Sequence, residues 1–198
     1  MYSEKVISQL CDVIGTDSVI TDNKEREYFS MDVFDIDEVA DLVIQPSSKD
    51  QISDALKILS KSDYEIIPRG GGMSYTGGDT PSTTRSAIID TSLLNQIIEI
   101  NPDDMYITVE AGCTWKKIYE ALKPMGLRLP FFGTNSGSMA TVGGGLSNGA
   151  LFFGTGKYGS AADNVLGMEI IIADGTLIKT GQNAFADAKP HHRTYGPD

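Results

Sequence analysis

Apolar positions recur at two spacings along this chain, and the switch between them sketches an order of elements. Val6, Ile7, Leu10, Val13 and Ile14 fall three and four residues apart, so a one-faced helix is predicted over residues 3–14, stopped by Gly15. Residues 32–41 are acidic, with the run Asp32-Val33-Phe34-Asp35-Ile36-Asp37-Glu38, and are expected as a solvated connector. Leu42-Val43-Ile44 is a short apolar run closed by Pro46, as in a buried strand. Ser47 or Ser48 would cap a helix whose Ile52, Ala55, Leu56 and Leu59 share a face. Residues 65–68 supply the next strand. Strand, helix, strand predicts a parallel βαβ crossover.

Further on, residues 87–90 form a strand, and 97–100 with 105–109 form a hairpin turning at Asn101-Pro102-Asp103-Asp104. Thr114 caps a helix carrying Trp115, Ile118, Tyr119 and Leu122 at helical spacing. A last hairpin joins 165–173 to 176–180 through Asp174-Gly175. Residues 184–198 are polar, contain Pro190 and Pro197, and stop without a closing element, as an interrupted chain would. There is no internal repeat.

Composition narrows the function classes. With 27 acidic and 16 basic residues among 198, the formal charge is −11. An acidic surface repels phosphate backbones, so nucleic acid is excluded as a partner. No apolar run approaches the ~20 residues of a membrane span, and the N-terminus lacks the layout of a secretory signal. A cytoplasmic location is expected, or one peripheral to the inner membrane through a partner. Cys11 and Cys113 are too few for a disulfide framework or a thiolate zinc site. His191-His192 lacks acidic or thiol companions at ligand spacing, so no metal is expected.

Glycine is what stands out: 21 residues, about half again the ~7% background, mostly in three clusters. One cluster is a decoy. Gly154-Thr155-Gly156-Lys157-Tyr158-Gly159 has the Gly-x-Gly-x-x-Gly spacing, but Ser160 to Asn164 lead straight into a strand, and the residue twenty on is Lys179 rather than an acid. A nicotinamide site is excluded by that context, and a Walker loop by the missing Ser or Thr after Lys157. The cluster after residues 65–68 is better placed. In Arg69-Gly70-Gly71-Gly72-Met73-Ser74-Tyr75-Thr76-Gly77-Gly78, consecutive glycines let backbone N–H groups turn inward around an anion, and the Ser74 and Thr76 hydroxyls add donors.

From here the chain resembles a known family, the FAD-linked oxidase (vanillyl-alcohol oxidase, PCMH-type FAD-binding) superfamily. The resemblance covers residues 41–181 and rests on four ordered segments: Pro68 to Ser74; Val109-Glu110-Ala111-Gly112; Thr141-Val142-Gly143-Gly144-Gly145-Leu146-Ser147-Asn148-Gly149; and Lys157-Tyr158-Gly159 through Glu169. Asn148, the Tyr-Gly step and Asp163-Asn164-Val165-Leu166-Gly167 look most like the D-lactate dehydrogenase and glycolate oxidase branch. The resemblance implies an α+β fold of two lobes with FAD between them. The expected divisions are residues 1–40 (helix and connector), 41–90 (first lobe, with the pyrophosphate loop) and 91–198 (second lobe, C-terminally incomplete, with a polar tail). The first lobe is expected as a small parallel layer, the second as a mostly antiparallel sheet with helices.

The cofactor-binding set so implied is Pro68, Arg69, Gly70, Gly71, Gly72, Met73, Ser74, Gly77, Ser138, Thr141, Gly143, Gly144, Asn148, Tyr158, Gly159, Val165 and Ile171. Arg69 either neutralises phosphate or pairs with a carboxylate. Ser138 and Thr141 bond the cofactor or a turn, Asn148 faces the flavin or caps a helix, and Tyr158 packs on the cofactor or in the core. Some relatives tether FAD through a histidine in the first loop; Met73 stands there, which implies non-covalent FAD. The implied reaction is hydride transfer from a D-2-hydroxyacid, a small-molecule substrate, to FAD and on to an electron-acceptor subunit carrying a quinone, cytochrome or iron–sulfur centre. Other branches (a sugar or alcohol oxidase, or the dehydrogenase of UDP-N-acetylmuramate) and an inactive FAD-binding fragment stay open. None of these residues is a convincing acid or base, and catalytic residues are expected beyond Asp198, as in relatives.

Overall fold

A computed structural model describes residues 2–34, 38–130 and 136–181. Its centre is a four-stranded sheet built from β1 (Val19–Ile20), β2 (Leu42–Ile44), β3 (Glu65–Arg69) and β4 (Ser86–Asp90), in the order β1-β2-β4-β3. β2, β4 and β3 run parallel, and β1 is an antiparallel edge. The predicted crossover is present, but β4 lies between its two strands. Burial explains this: every residue of β2 and β4 is buried, whereas Glu65 and Pro68 of β3 are exposed. A strand covered on both faces takes the middle of the sheet.

Helices α1 (Tyr2–Ile14) and α3 (Lys49–Leu59) cover one face. Val6, Leu10 and Ile14 of α1 share a core with Ala55, Leu56 and Leu59 of α3 and with Leu42, Ile44, Ala87 and Ile89 of the sheet. Ser48 is the α3 cap, accepting a bond from the Gln51 amide. The opposite face carries α2 (Asn23–Phe29), whose Phe29 packs against Ala40, Val43, Ile67 and Ile88. α2 is capped by Asp22, whose carboxylate accepts from the Lys24 and Glu25 amides.

The second half is built from smaller pieces. β5 (Ile97–Asn101) and β6 (Tyr106–Val109) form the first predicted hairpin, and α4 (Trp115–Leu122), capped by Thr114, buries Trp115, Ile118 and Leu122. Short helical turns α5 (Val142–Ser147) and α6 (Thr155–Tyr158) follow, then the hairpin of β7 (Glu169–Ile171) and β8 (Leu177–Lys179). Among the described residues the expected antiparallel sheet is thus two separate hairpins. The last is shorter than its apolar run: only Glu169–Ile171 pairs with Leu177–Lys179, and residues 165–168 lead into it from a 3-10 turn at Ala162–Asn164. The halves meet where α3 touches the last hairpin: Lys49 pairs with Glu169 at 2.8 Å, and the Ser53 hydroxyl donates to the Gly175 carbonyl at 2.5 Å. The histidine pair and the polar tail lie outside the described residues.

Candidate functional site

β3 delivers the chain into the first glycine loop, and the loop packs against the segment entering α5. A Cβ on Gly70 would stand 2.5 Å from the Thr141 hydroxyl oxygen, and one on Gly71 would overlap the Met139 carbonyl oxygen. At Gly71 a second stretch of backbone fills the space that a side chain would need, whereas at Gly70 the obstruction is the Thr141 side chain. The two predicted glycine segments are therefore brought together, with Gly70 to Ser74 on one side and residues 139–144 on the other.

They differ in what they offer a ligand. In the second segment the amides are already used: Val142 donates to the Cys113 carbonyl at 2.9 Å, Gly143 to the Ala111 carbonyl at 2.8 Å and Gly144 to the Thr141 hydroxyl at 3.3 Å. Thr141, 4% exposed, is an N-cap. In the first loop, among the described residues, the backbone N–H groups of Gly70, Gly71, Gly72, Met73 and Ser74 donate to no protein acceptor. Gly72 is buried and its neighbours are half-buried. Shielded amides without acceptors are costly, and a consecutive run of them suits an oxyanion ligand such as a diphosphate. This cradle is what tests the fit of FAD, and the residues present fit it.

Arg69, expected to neutralise phosphate or to pair with a carboxylate, bonds two main-chain carbonyls. It is 7% exposed, its Nε donates to the Phe29 carbonyl at 2.7 Å and its Nη2 to the Met31 carbonyl at 3.1 Å. No carboxylate lies within ion-pair distance of it among the described residues. Asp79 is close enough to feel its charge. Burial pushes the Asp79 carboxyl up, Arg69 opposes that shift and Asp32 adds to it, and the buried Oδ1 has no hydrogen-bond partner.

The other predicted residues are spread more widely. Pro68 is exposed in β3, and Met73 is half-buried beside the cradle. The Ser74 and Thr76 hydroxyls bond each other at 3.1 Å, and the Gly77 amide donates to Asp32 Oδ2 at 3.0 Å. Ser138 is exposed, as is Asn148 at the C-cap position of α5. Tyr158 lies in none of the three buried clusters: it is 36% exposed, with Lys157 Nζ 5.0 Å and Arg128 Cζ 6.0 Å from its ring centre. Lys157 and then Arg128 hold its phenol below the usual range. Gly159 follows with φ +82 as the α6 C-cap. Val165 is half-buried, and Ile171 packs against the α1–α3 core.

Sequence reasoning passed over α2 and the stretch Phe29 to Asp32 that meets the loop. A signal was available in Asp22 and Glu25, a capping pair three residues apart. The Arg128–Tyr158–Lys157 grouping is long-range and left no pattern. Among the described residues no cluster of His, Cys, Asp or Glu could hold a metal ion, and no helix is long and apolar enough to cross a membrane.

A family described as FAD binding domain matches residues 40–181. The chain is 30% identical over 197 residues to glycolate oxidase subunit GlcD of Bacillus subtilis, covering 98% of this chain and 41% of that protein. It is 30% identical over 185 residues to the mitochondrial D-lactate dehydrogenase [cytochrome] of Kluyveromyces lactis, covering 89% and 32%. The solved structure of p-cresol methylhydroxylase with substrate bound superposes with a TM-score of 0.84 at 19% identity, over 98% of this chain and 39% of that one. The chain thus spans between 32% and 41% of the curated relatives it matches.

Proposed function

The chain belongs to the FAD-linked oxidase family as its PCMH-type FAD binding domain, and from that premise we propose that it holds FAD without a covalent bond within a protein that oxidises a D-2-hydroxyacid such as lactate or glycolate. The observation that carries the reading is the run of amides from Gly70 to Ser74 without protein acceptors. These amides would hold the diphosphate. Gly143 and Gly144, whose own donors are spent within the chain, would supply a floor of small residues with no competing polar demand. Ser138, Asn148 and Tyr158 would present exposed polar groups along the cofactor, and Pro68, Met73, Gly77, Thr141, Gly159, Val165 and Ile171 would shape or support its cleft. When bound, FAD supplies the two-electron acceptor for the hydride leaving the hydroxyl-bearing carbon.

The non-covalent mode is supported by chemistry. Met73 offers a thioether, which does not make the bond that a loop histidine makes in some relatives, and the Cys113 thiol is fully buried. The substrate class is supported by glycolate and lactate in the names of the two relatives at 30% identity. The cytochrome in one of those names, and the subunit in the other, support an electron-acceptor partner carrying a cytochrome, quinone or iron–sulfur centre. The proposed location is the cytoplasm, or the inner-membrane surface through that partner.

Two measurements test this. The chain is mixed with FAD, desalted and denatured with acid: flavin absorbance retained on desalting and released into the supernatant is expected, whereas flavin precipitating with the protein refutes the non-covalent mode. The gene product at its full length is then surveyed with D-2-hydroxyacids, sugars and alcohols and an artificial electron acceptor. Turnover confined to sugars or alcohols refutes the substrate class.

A further inference from the structure

We infer that the segment Phe29 to Val33, ahead of the family match at 40–181, is the back wall of the cofactor loop, and that Arg69 is a positioning residue joining the two. The inference rests on the reading of Gly70 to Ser74 as the diphosphate cradle. It begins at the end of α2. A helix leaves its last carbonyls without intrahelical partners, and the negative end of its dipole favours a cation there. Arg69 fills both needs. Its guanidinium spans the Phe29 and Met31 carbonyls at 2.7 and 3.1 Å and lies 5.6 Å from the Phe29 ring centre and 5.9 Å from that of Tyr28. The fork geometry matters, because a lysine ammonium is a point donor on a flexible stem.

On its other side the same guanidinium lies against Gly72, where a Cβ would overlap it. Two further bonds tie the segment to the loop. The Val33 amide donates to the Ser74 carbonyl at 3.2 Å, and the Gly77 amide donates to Asp32 Oδ2 at 3.0 Å, while Asp32 Oδ1 accepts from the Phe34 amide at 2.7 Å. The loop is held at its start by Arg69, in its middle through Ser74 and at its exit through Gly77. Its five amides remain uncommitted. Arg69 therefore acts from behind, fixing the backbone whose donors meet the anion, with its charge beneath them.

The test uses the full chain and the variants Arg69→Lys, Arg69→Met and Asp32→Ala. Amide hydrogen exchange is followed at Val33 and Gly77, with Ile88 of β4 as the reference for global opening, and FAD affinity is measured at two salt concentrations. The brace predicts that both Arg69 variants speed exchange at Val33 and Gly77 by about tenfold with Ile88 unchanged. Both should weaken FAD by a similar factor, with the lysine variant giving no rescue and the salt dependence of affinity retained. Asp32→Ala keeps the guanidinium and should speed exchange at Gly77; it also serves if an Arg69 variant fails to fold. Normal exchange in Arg69→Lys, with near-normal FAD affinity, would make Arg69 a phosphate ligand and overturn the brace. Exchange unchanged in all three variants would overturn it as well. If the parent chain binds no FAD, the cofactor reading fails, and the exchange rates still decide whether the brace exists.

Discussion

Adding one methyl group at Gly71 tests the close approach of the two glycine segments. Replacing glycine by alanine at an unstrained position usually stabilises a protein by ~0.4–1 kcal/mol, because the unfolded chain loses freedom. Gly71 has no such latitude. The new Cβ would overlap the Met139 carbonyl oxygen and stand 3.2 Å from the Ala140 nitrogen, both of them main-chain atoms. Forcing a methyl into filled space costs ~1–3 kcal/mol. The clash outweighs the entropic gain, leaving Gly71→Ala less stable by roughly 1–2 kcal/mol. For a chain of this length that is a fall in Tm of about 2–8 °C. Gly156→Ala is the control: Gly156 lies in α6, and its Cβ would meet nothing within 4 Å. Scanning calorimetry of both variants should place Gly156→Ala at or above the parent and Gly71→Ala below it. FAD titration should show weakened binding only in the latter. A Gly71→Ala chain that melts with or above the control would refute the claim that two backbones share this space.

Thr141→Val keeps the shape of a buried side chain but removes the oxygen that accepts from the Gly144 amide. Loss of such a cap costs about 1 kcal/mol, and an unchanged Tm would show that the cap contributes nothing. Glu169 bonds Lys49 at 2.8 Å and Lys179 at 2.9 Å, and those two cations, Lys49 first, hold its carboxyl below the ordinary range. A lowered folded pKa means stability present above the unfolded value and lost as pH falls through the folded one. The side chains are between 36% and 53% exposed, so Glu169→Gln should cost only ~0.2–1 kcal/mol at pH 7. The difference from the parent should vanish in thermal melts well below the glutamate range; a gap that persists there would show that charge is not its origin.

Periodicity made the first lobe legible. The apolar faces of α1 and α3 and the buried runs at Leu42–Ile44 and Ser86–Asp90 each advertise their own burial. Strand order was not legible, since local pattern does not say that β4 enters between β2 and β3. α2 escaped notice because Asn-Lys-Glu-Arg-Glu carries no apolar stripe, and only Tyr28 and Phe29 at its end are apolar. That gap also hid the carbonyls that Arg69 meets. With no helix end in view, a cation entering a glycine loop is naturally assigned to phosphate, whereas the folded chain turns it toward two carbonyls that sequence places about forty residues away. Tyr158 was expected on the cofactor or in the core; its neighbours in space are Arg128 and Lys157, and no local pattern places Arg128 beside it.

The obstacles at Gly70 and Gly71 also predict different fates under random mutagenesis. At Gly70 the nearest obstruction is the Thr141 hydroxyl, part of a side chain. A larger residue there can be rescued by shortening its partner, so double mutants at 70 and 141 should survive selection where single mutants do not. At Gly71 the obstruction is the peptide carbonyl of Met139, a group that every amino acid carries. No replacement at 139 removes it, so suppressors of Gly71 lesions can arise only by redirecting the chain. One glycine has a negotiable neighbour. The other does not.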